Sequence, residues 1–252
     1  MMKNIFTLLF ILTLSIANSQ VLELGVNLNQ SKIKIKTGED LLELMHQTYK
    51  NGPCKAYTFS QKNSHYRNDS IIGNSDWHEA IEFPDKFRID FGDKQAGNFV
   101  VFKNDSSFSY RNFIFKKTKY DSNTLLLLLG GMYYRNFPEV ITHLQNEHYN
   151  TKILSHQKHG KENCYVIGAL GGDTTSNQIW VNKHNLRVER IIEKMDETNI
   201  MDMTFDSYQK HCKGFVETKV TFKRNGKKEQ VEEYFNITEV NSFPNDVFNP
   251  KK

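Results

Sequence analysis

The sequence predicts a mainly β protein with helices, in the α+β class, and three observations carry that prediction. From Lys55 onward apolar and polar residues alternate, as in Tyr57, Phe59 and Gln61 against Thr58 and Ser60, the period of a half-buried strand. Turn-forming residues punctuate this pattern at short spacing: Asn68-Asp69, Gly73-Asn74-Ser75, Asp85, Gly92-Asp93 and Asn104-Asp105. A block that does not alternate, residues 121–148, then interrupts the strands, and alternation resumes at Thr151.

The elements follow in order. Residues 1–19 have the pattern of a secretory signal peptide: Lys3, an apolar stretch over 5–16, and the small residues of Ala17-Asn18-Ser19. Cleavage before Gln20 is expected, leaving 233 of 252 residues exported and soluble. The alternative, a membrane anchor, suffers from an apolar stretch short of the about 20 residues that a spanning helix needs. No cysteine follows the cleavage point, so an N-terminal lipid has no attachment there.

Residues 20–36 form a leader, within which Lys32-Ile33-Lys34-Ile35-Lys36 alternates like an edge strand. Thr37, followed by Glu39 and Asp40, is a helix start: a hydroxyl to cap free N–H groups and acids to suit the positive end of the dipole. Leu41, Met45 and Thr48-Tyr49, flanked by Leu42 and Leu44, continue it until Asn51-Gly52-Pro53. Strands are then predicted around 55–61, 87–91, 99–102 and 108–110, forming an antiparallel meander with one wet face. In the second of these, Phe87, Ile89 and Phe91 point one way and Arg88 and Asp90 the other.

The interruption holds five consecutive leucines, residues 125–129, followed by Gly130-Gly131-Met132-Tyr133-Tyr134. Five leucines on a helix point to every side, so the helix has no wet face. One side can seat on the sheet; the other must be covered by more protein, a partner or an apolar ligand. A second helix is expected over 137–148, with Pro138 in its first turn and Val140, Ile141, Leu144 and His148 as its buried stripe. Further strands are predicted at 164–167, 178–181, 186–192, 201–208, 215–222 and 229–240, with hairpin turns at 182–185 and 224–227. No repeat or low-complexity linker marks a domain boundary, so 37–252 is expected to form a single domain.

Chemistry is sparse. The formal charge of +4 becomes +3 without the signal peptide, with both signs interspersed, which argues against nucleic acid. Cys54, Cys164 and Cys212 permit at most one disulfide and lack C-x-x-C spacing; they read as small buried hydrophobes. His143, His148, His156 and His159 lie close in sequence, but His143 and His148 are five apart on a helix, about 140° around its axis. They read as surface residues, and no metal or other cofactor is expected. The glycine-rich 168–175 lacks P-loop and dinucleotide signatures, there is no G-x-S-x-G elbow, and Glu193 with Asp196, or Glu232 with Glu233, read as solvated charges. No catalytic residue is expected. The aromatic content, 18 Phe, 11 Tyr and 2 Trp, suits a lined cavity as well as an ordinary core.

Several segments together resemble the periplasmic lipoprotein-carrier superfamily (LolA/LolB-like). Phe59-Ser60-Gln61 after an N-terminal helix resembles its F-x-Q opening strand, and Phe83-Pro84-Asp85-Lys86-Phe87-Arg88-Ile89 its Pro-x-x-Phe strand. Residues 101–110 resemble the following hairpin; Ile179-Trp180-Val181-Asn182, Leu186-Arg187-Val188 and the terminal Phe248-Asn249-Pro250 fit as well. The resemblance implies an incomplete, strongly curved antiparallel β-barrel with helices covering its open, concave side. It implies no catalysis, and a lipid, acyl chain or lipoprotein held in an apolar groove, for transport across the periplasm or envelope maintenance. Phe59, Phe83, Phe87, Ile89, Phe91, Leu126, Leu129, Met132 and Tyr133 are the candidate groove residues. The partners it implies are a lipid or lipidated protein and membrane-associated donor and acceptor proteins, with the chain itself a monomer. Phe83 stands where the carriers have an arginine that latches the helical lid, so the arginine-latched cycle is not expected here. The alternative is a structural or sensor protein of the envelope that uses the same fold for protein contacts.

Overall fold

The computed structural model describes residues 33–50 and 54–250; the predicted signal peptide, the leader up to residue 32 and the Asn51-Gly52-Pro53 helix stop lie outside them. Helix α1, Gly38–Tyr49, begins with a reciprocal cap. The Asp40 N–H donates to the Thr37 hydroxyl (3.2 Å), and the Thr37 N–H donates to the Asp40 carboxylate (2.8 Å). Leu41, Leu42, Leu44 and Met45 are all buried. The edge strand expected just before it does not form over 33–36; Ile33 and Ile35 instead pack against the core.

The first meander comprises β1 Ala56–Arg67, β2 Ser70–Glu82, β3 Lys86–Phe91, β4 Phe99–Lys103, β5 Ser106–Arg111 and β6 Ile114–Tyr120. Then come α2 Thr124–Leu128, a 3₁₀ turn Gly131–Tyr134 and α3 Phe137–Asn146. The second series is β7 Leu154–His159, β8 Glu162–Ile167, β9 Gln178–Asn182, β10 Val188–Lys194, β11 Ile200–Asp206, the small hairpin β12 Gln209–His211 and β13 Gly214–Val216, then β14 Lys219–Arg224 and β15 Lys227–Glu239. A short α4, Asn245–Phe248, follows.

Thirteen strands form one antiparallel sheet in the order β6-β5-β4-β3-β2-β1-β15-β14-β11-β10-β9-β8-β7. The last strand pairs with the first, so both lie mid-sheet, and the sheet is open, with β6 and β7 as its edges. The chain leaves one edge at β6 and re-enters at the opposite edge as β7, so the connection must travel over a face. That connection carries α2 and α3. They join α1 in the main core, where Leu127, Leu128, Val140 and Leu144 pack with Ile167, Ile179, Ile191, Met203 and Val220 of the sheet.

Several local expectations give way to pairing. Gly73-Asn74-Ser75 is no turn: it lies inside β2, paired along its length with β1, and the ladder overrides local turn propensity. The turn is one hairpin earlier, at Asn68-Asp69, both with positive φ. The expected strand at 215–222 is split into β13 and β14 by Glu217-Thr218. His148 is exposed rather than part of a buried stripe, because α3 ends before it. Arg88 and Asp90 do not face water. Asp90 is buried, Arg88 bonds it with two N–H groups (2.9 and 2.7 Å), and the guanidinium lies 3.9 Å over the Phe99 ring. The C-terminal segment causes this: Phe243, Val247 and Phe248 cover Ala80, Phe99, Val101 and Tyr110 on that face.

Cys54 and Cys212 form a disulfide that ties the approach to β1 to the β12–β13 hairpin, 158 residues away, while Cys164 remains free and buried. Reading all three as small buried hydrophobes therefore holds only for Cys164; spacing along the chain carries no information on a contact so distant.

Candidate lipid-binding face

Cross-strand register defines the face on which the helices lie. Phe59 of β1 stands opposite Glu79 of β2, which stands opposite Ile89 of β3. The rows to either side are Tyr57, Ile81 and Phe87, and Gln61, Trp77 and Phe91. Phe59, Phe87, Ile89 and Phe91 thus share one face, as the alternation predicted. Phe59, Phe83 and Leu126 join one buried cluster with Phe87 at its margin. Met132 and Tyr133 lie in the main core, with Leu129 packed against it. Ile89 is half-buried and Phe91 exposed; the latter meets the Trp77 ring edge-on at 5.0 Å.

Protein covers most of the leucine helix: Leu126 turns to the Phe59–Phe83 cluster, Leu127 and Leu128 enter the main core, and Leu125 and Leu129 are half-buried at its margin. The Asn123 side chain caps it by accepting from Leu126 N–H (2.9 Å). Phe83 makes an apolar contact with the segment that follows α2. A Cβ added to Gly130 would lie 2.1 Å from its ring, and the ring stacks on Tyr134 at 5.9 Å. Glycine at 130 lets the segment after α2 descend onto that ring, so the seat of α2 depends on aromatic packing.

Sequence reasoning missed the polar part of this face. Glu79, Glu217 and Glu232 are all buried. Burial, reinforced by the neighbouring Glu232 and Glu217, holds the Glu79 carboxyl well above the usual carboxylate range. Burial likewise pushes Glu217 up to about 8 and Glu232 to about 7. Glu232, read from sequence as a solvated charge, accepts from Gln230 Nε2 (2.7 Å) and the Tyr234 hydroxyl (2.8 Å). Glu193, also read as solvated, is raised by burial and accepts from the Tyr149 hydroxyl (2.8 Å). Strand alternation was the available signal for Glu79, which shares the parity of Trp77 and Ile81; Glu232, between Gln230 and Tyr234, had none as clear.

Between α2 and the sheet lies a cavity of about 40 Å³ lined by Leu128, Leu129 and Tyr133 on the helical side and Leu186, Arg187, Val188, Tyr208, Phe215 and Glu217 on the other. The clustered histidines do not converge as metal ligands among the described residues. His143 is half-buried rather than on the surface, its Nε2 enclosed in α3's packing, and burial lowers its pKa. The metal-type grouping of Cys54, Cys212 and Glu239 has its sulfurs bonded to each other, leaving no thiolate to ligate. No helix among the described residues is long and apolar enough to cross a membrane.

This architecture, an open antiparallel sheet with a helical layer over one face, is a LolA-like fold. A LolA superfamily protein from Nitrosomonas europaea superposes with a TM-score of 0.55 at 12% identity, covering 85% of this chain and 98% of that one. A domain assigned to outer membrane lipoprotein sorting from Vibrio parahaemolyticus gives 0.56 at 12%, covering 82% and 94%. A DUF1329 family protein from Desulfovibrio piger gives 0.57 at 14%, covering 84% and 96%. No protein-family model matches the sequence, and no curated protein is similar to it.

Proposed function

We propose that the mature chain is an exported, non-catalytic monomer that holds a lipid, acyl chain or lipidated protein between the sheet and its helical lid, for transport across the periplasm or envelope maintenance. The observation that carries this reading is the LolA-like fold with the leucine helix lying on the face that bears Phe59, Phe83 and Phe87. The helical layer then covers the concave side of a curved sheet, and residues 37–252 act as one domain behind a cleaved signal peptide. The Cys54–Cys212 disulfide supports an oxidising compartment. Intact mass of the exported protein should show residues 1–19 missing.

A cavity of about 40 Å³ is too small for an acyl chain, so binding requires α2 and the Gly131–Tyr134 turn to lift from the sheet. The ligand then replaces contacts now made by protein, at about 0.8 kcal/mol per buried CH₂. Uptake of a fluorescent fatty acid is the test. Wild type should bind, and Leu126→Glu or Leu129→Glu should abolish uptake in variants whose circular dichroism is unchanged. The close packing of Leu127, Leu128 and Met132 favours a second reading, an envelope protein that uses the same fold for protein contacts. Native mass spectrometry separates the two: a carrier retains lipid, and a protein that neither retains nor takes up lipid supports the second.

A further inference from the structure

The cavity under α2 is bordered by a buried polar atom with nothing to bond. Arg187 extends into it from the β9–β10 connection, its guanidinium carbon 3.5 Å over the Phe215 ring and 5.3 Å from the Tyr208 ring. Its Nε is buried without a hydrogen-bond partner. Tyr133, a residue only 8% exposed, lines the same cavity from the helical side. The two other tyrosines of the cavity have their donors engaged, Tyr49 with the Asn185 carbonyl and Tyr208 with the Val188 carbonyl. Leaving the Arg187 Nε–H buried and unpaired costs free energy that a complementary acceptor would recover. Glu217 borders the cavity without an ion pair to Arg187, and its raised pKa keeps it protonated at neutral pH, so it adds no repelling charge.

We propose that this cavity seats the oxyanion head of an amphiphile, a carboxylate or a phosphate, received by the Arg187 Nε–H and the Tyr133 hydroxyl. A planar guanidinium fixed on an aromatic ring is pre-oriented for an oxyanion and loses little freedom on binding. The size agrees with a head group and not with a chain. The tail leaves past Leu128 and Leu129, the residues that line the cavity from α2. This rests on the lipid-binding reading and specifies its ligand as anionic.

The test is calorimetry at pH 7 and low salt with decanoate, decyl phosphate, decanol, acetate and inorganic phosphate. Wild type should bind decanoate or decyl phosphate about tenfold or more tighter than decanol, and acetate and phosphate far more weakly. The one of the two anions that binds tighter identifies the source of the head. Arg187→Met should bring the ratio of anion to decanol affinity down to about one, and Tyr133→Phe, a near-isosteric change that keeps the ring, should lower it severalfold. Equal binding of decanol and both anions by wild type overturns the proposal and leaves lipid binding intact. Acetate or phosphate binding as tightly as the decyl anions overturns the amphiphile. Failure of every decyl compound overturns both readings. An unchanged ratio in folded Tyr133→Phe and Arg187→Met removes these two groups as the seat.

Discussion

Glu217 ties the candidate site to pH. Burial raises its folded-state pKa to about 8 from an ordinary 4.5, so between these values the unfolded chain ionises while the folded one keeps its proton. Below about 4.5 both states are protonated and the group has no effect on stability. As pH rises toward 8 the folded state loses stability relative to the unfolded, and above 8 the loss is complete. Glu232, raised to about 7, acts in the same direction over a narrower window. The melting temperature should therefore fall between pH 5 and pH 8.5, and Glu217→Gln should flatten that slope by an amount worth a few kcal/mol at most. An equally steep slope in the variant would place the titration elsewhere. Neither acid stands out in the sequence, because a glutamate on a strand reads as solvated until the layer that covers it is known.

At the scale of elements, α2 and the turn after it are the parts most exposed to test. Leu127 and Leu128 are at most 2% exposed, so Leu127→Ala should cost about 2–5 kcal/mol in chemical denaturation. Gly130→Ala pushes a methyl group into the Phe83 ring and should cost about 1–3 kcal/mol. In the Phe83→Ala background the same change should cost markedly less, since the obstacle is gone; additive costs would show that Phe83 does not hold the lid segment. The start of α1 is a plainer case: Thr37→Ala removes one half of a reciprocal cap, at about 1 kcal/mol. That cap was legible because all its parts lie within four residues. The all-round apolar character of residues 125–129 was legible too, but the identity of what covers each side was not: Phe83 lies more than 40 residues away and Ile179 more than 50.

Across the whole molecule the Cys54–Cys212 bond closes a loop of 158 residues between the approach to β1 and the β12–β13 hairpin. Such a bridge stabilises by roughly 2–4 kcal/mol, so mild reduction, or Cys54→Ser with Cys212→Ser, should lower the melting temperature by roughly 4–16 °C. An unchanged melting temperature would mean that the bond adds nothing the sheet does not already provide. The same scale explains the position of the lid: β6 and β7 are opposite edges, so the segment between them has to cross a face of the sheet.

The sequence by itself determined the elements whose signals are local: the Thr37 cap and its helix, the alternating strands β1, β3, β4 and β5, the Asn225-Gly226 hairpin and the apolar helix within residues 121–148. It also carried the LolA-like resemblance that the fold displays. Only the tertiary structure decided that Gly73-Asn74-Ser75 continues a strand, that Arg88 and Asp90 are covered, that Cys54 meets Cys212, and that Arg187, Tyr133 and Glu217 border one cavity. Each of these depends on groups from distant parts of the chain coming within a few ångströms. Local periodicity fixes which side of a strand a residue takes, whereas the covering of that side is fixed by long-range pairing.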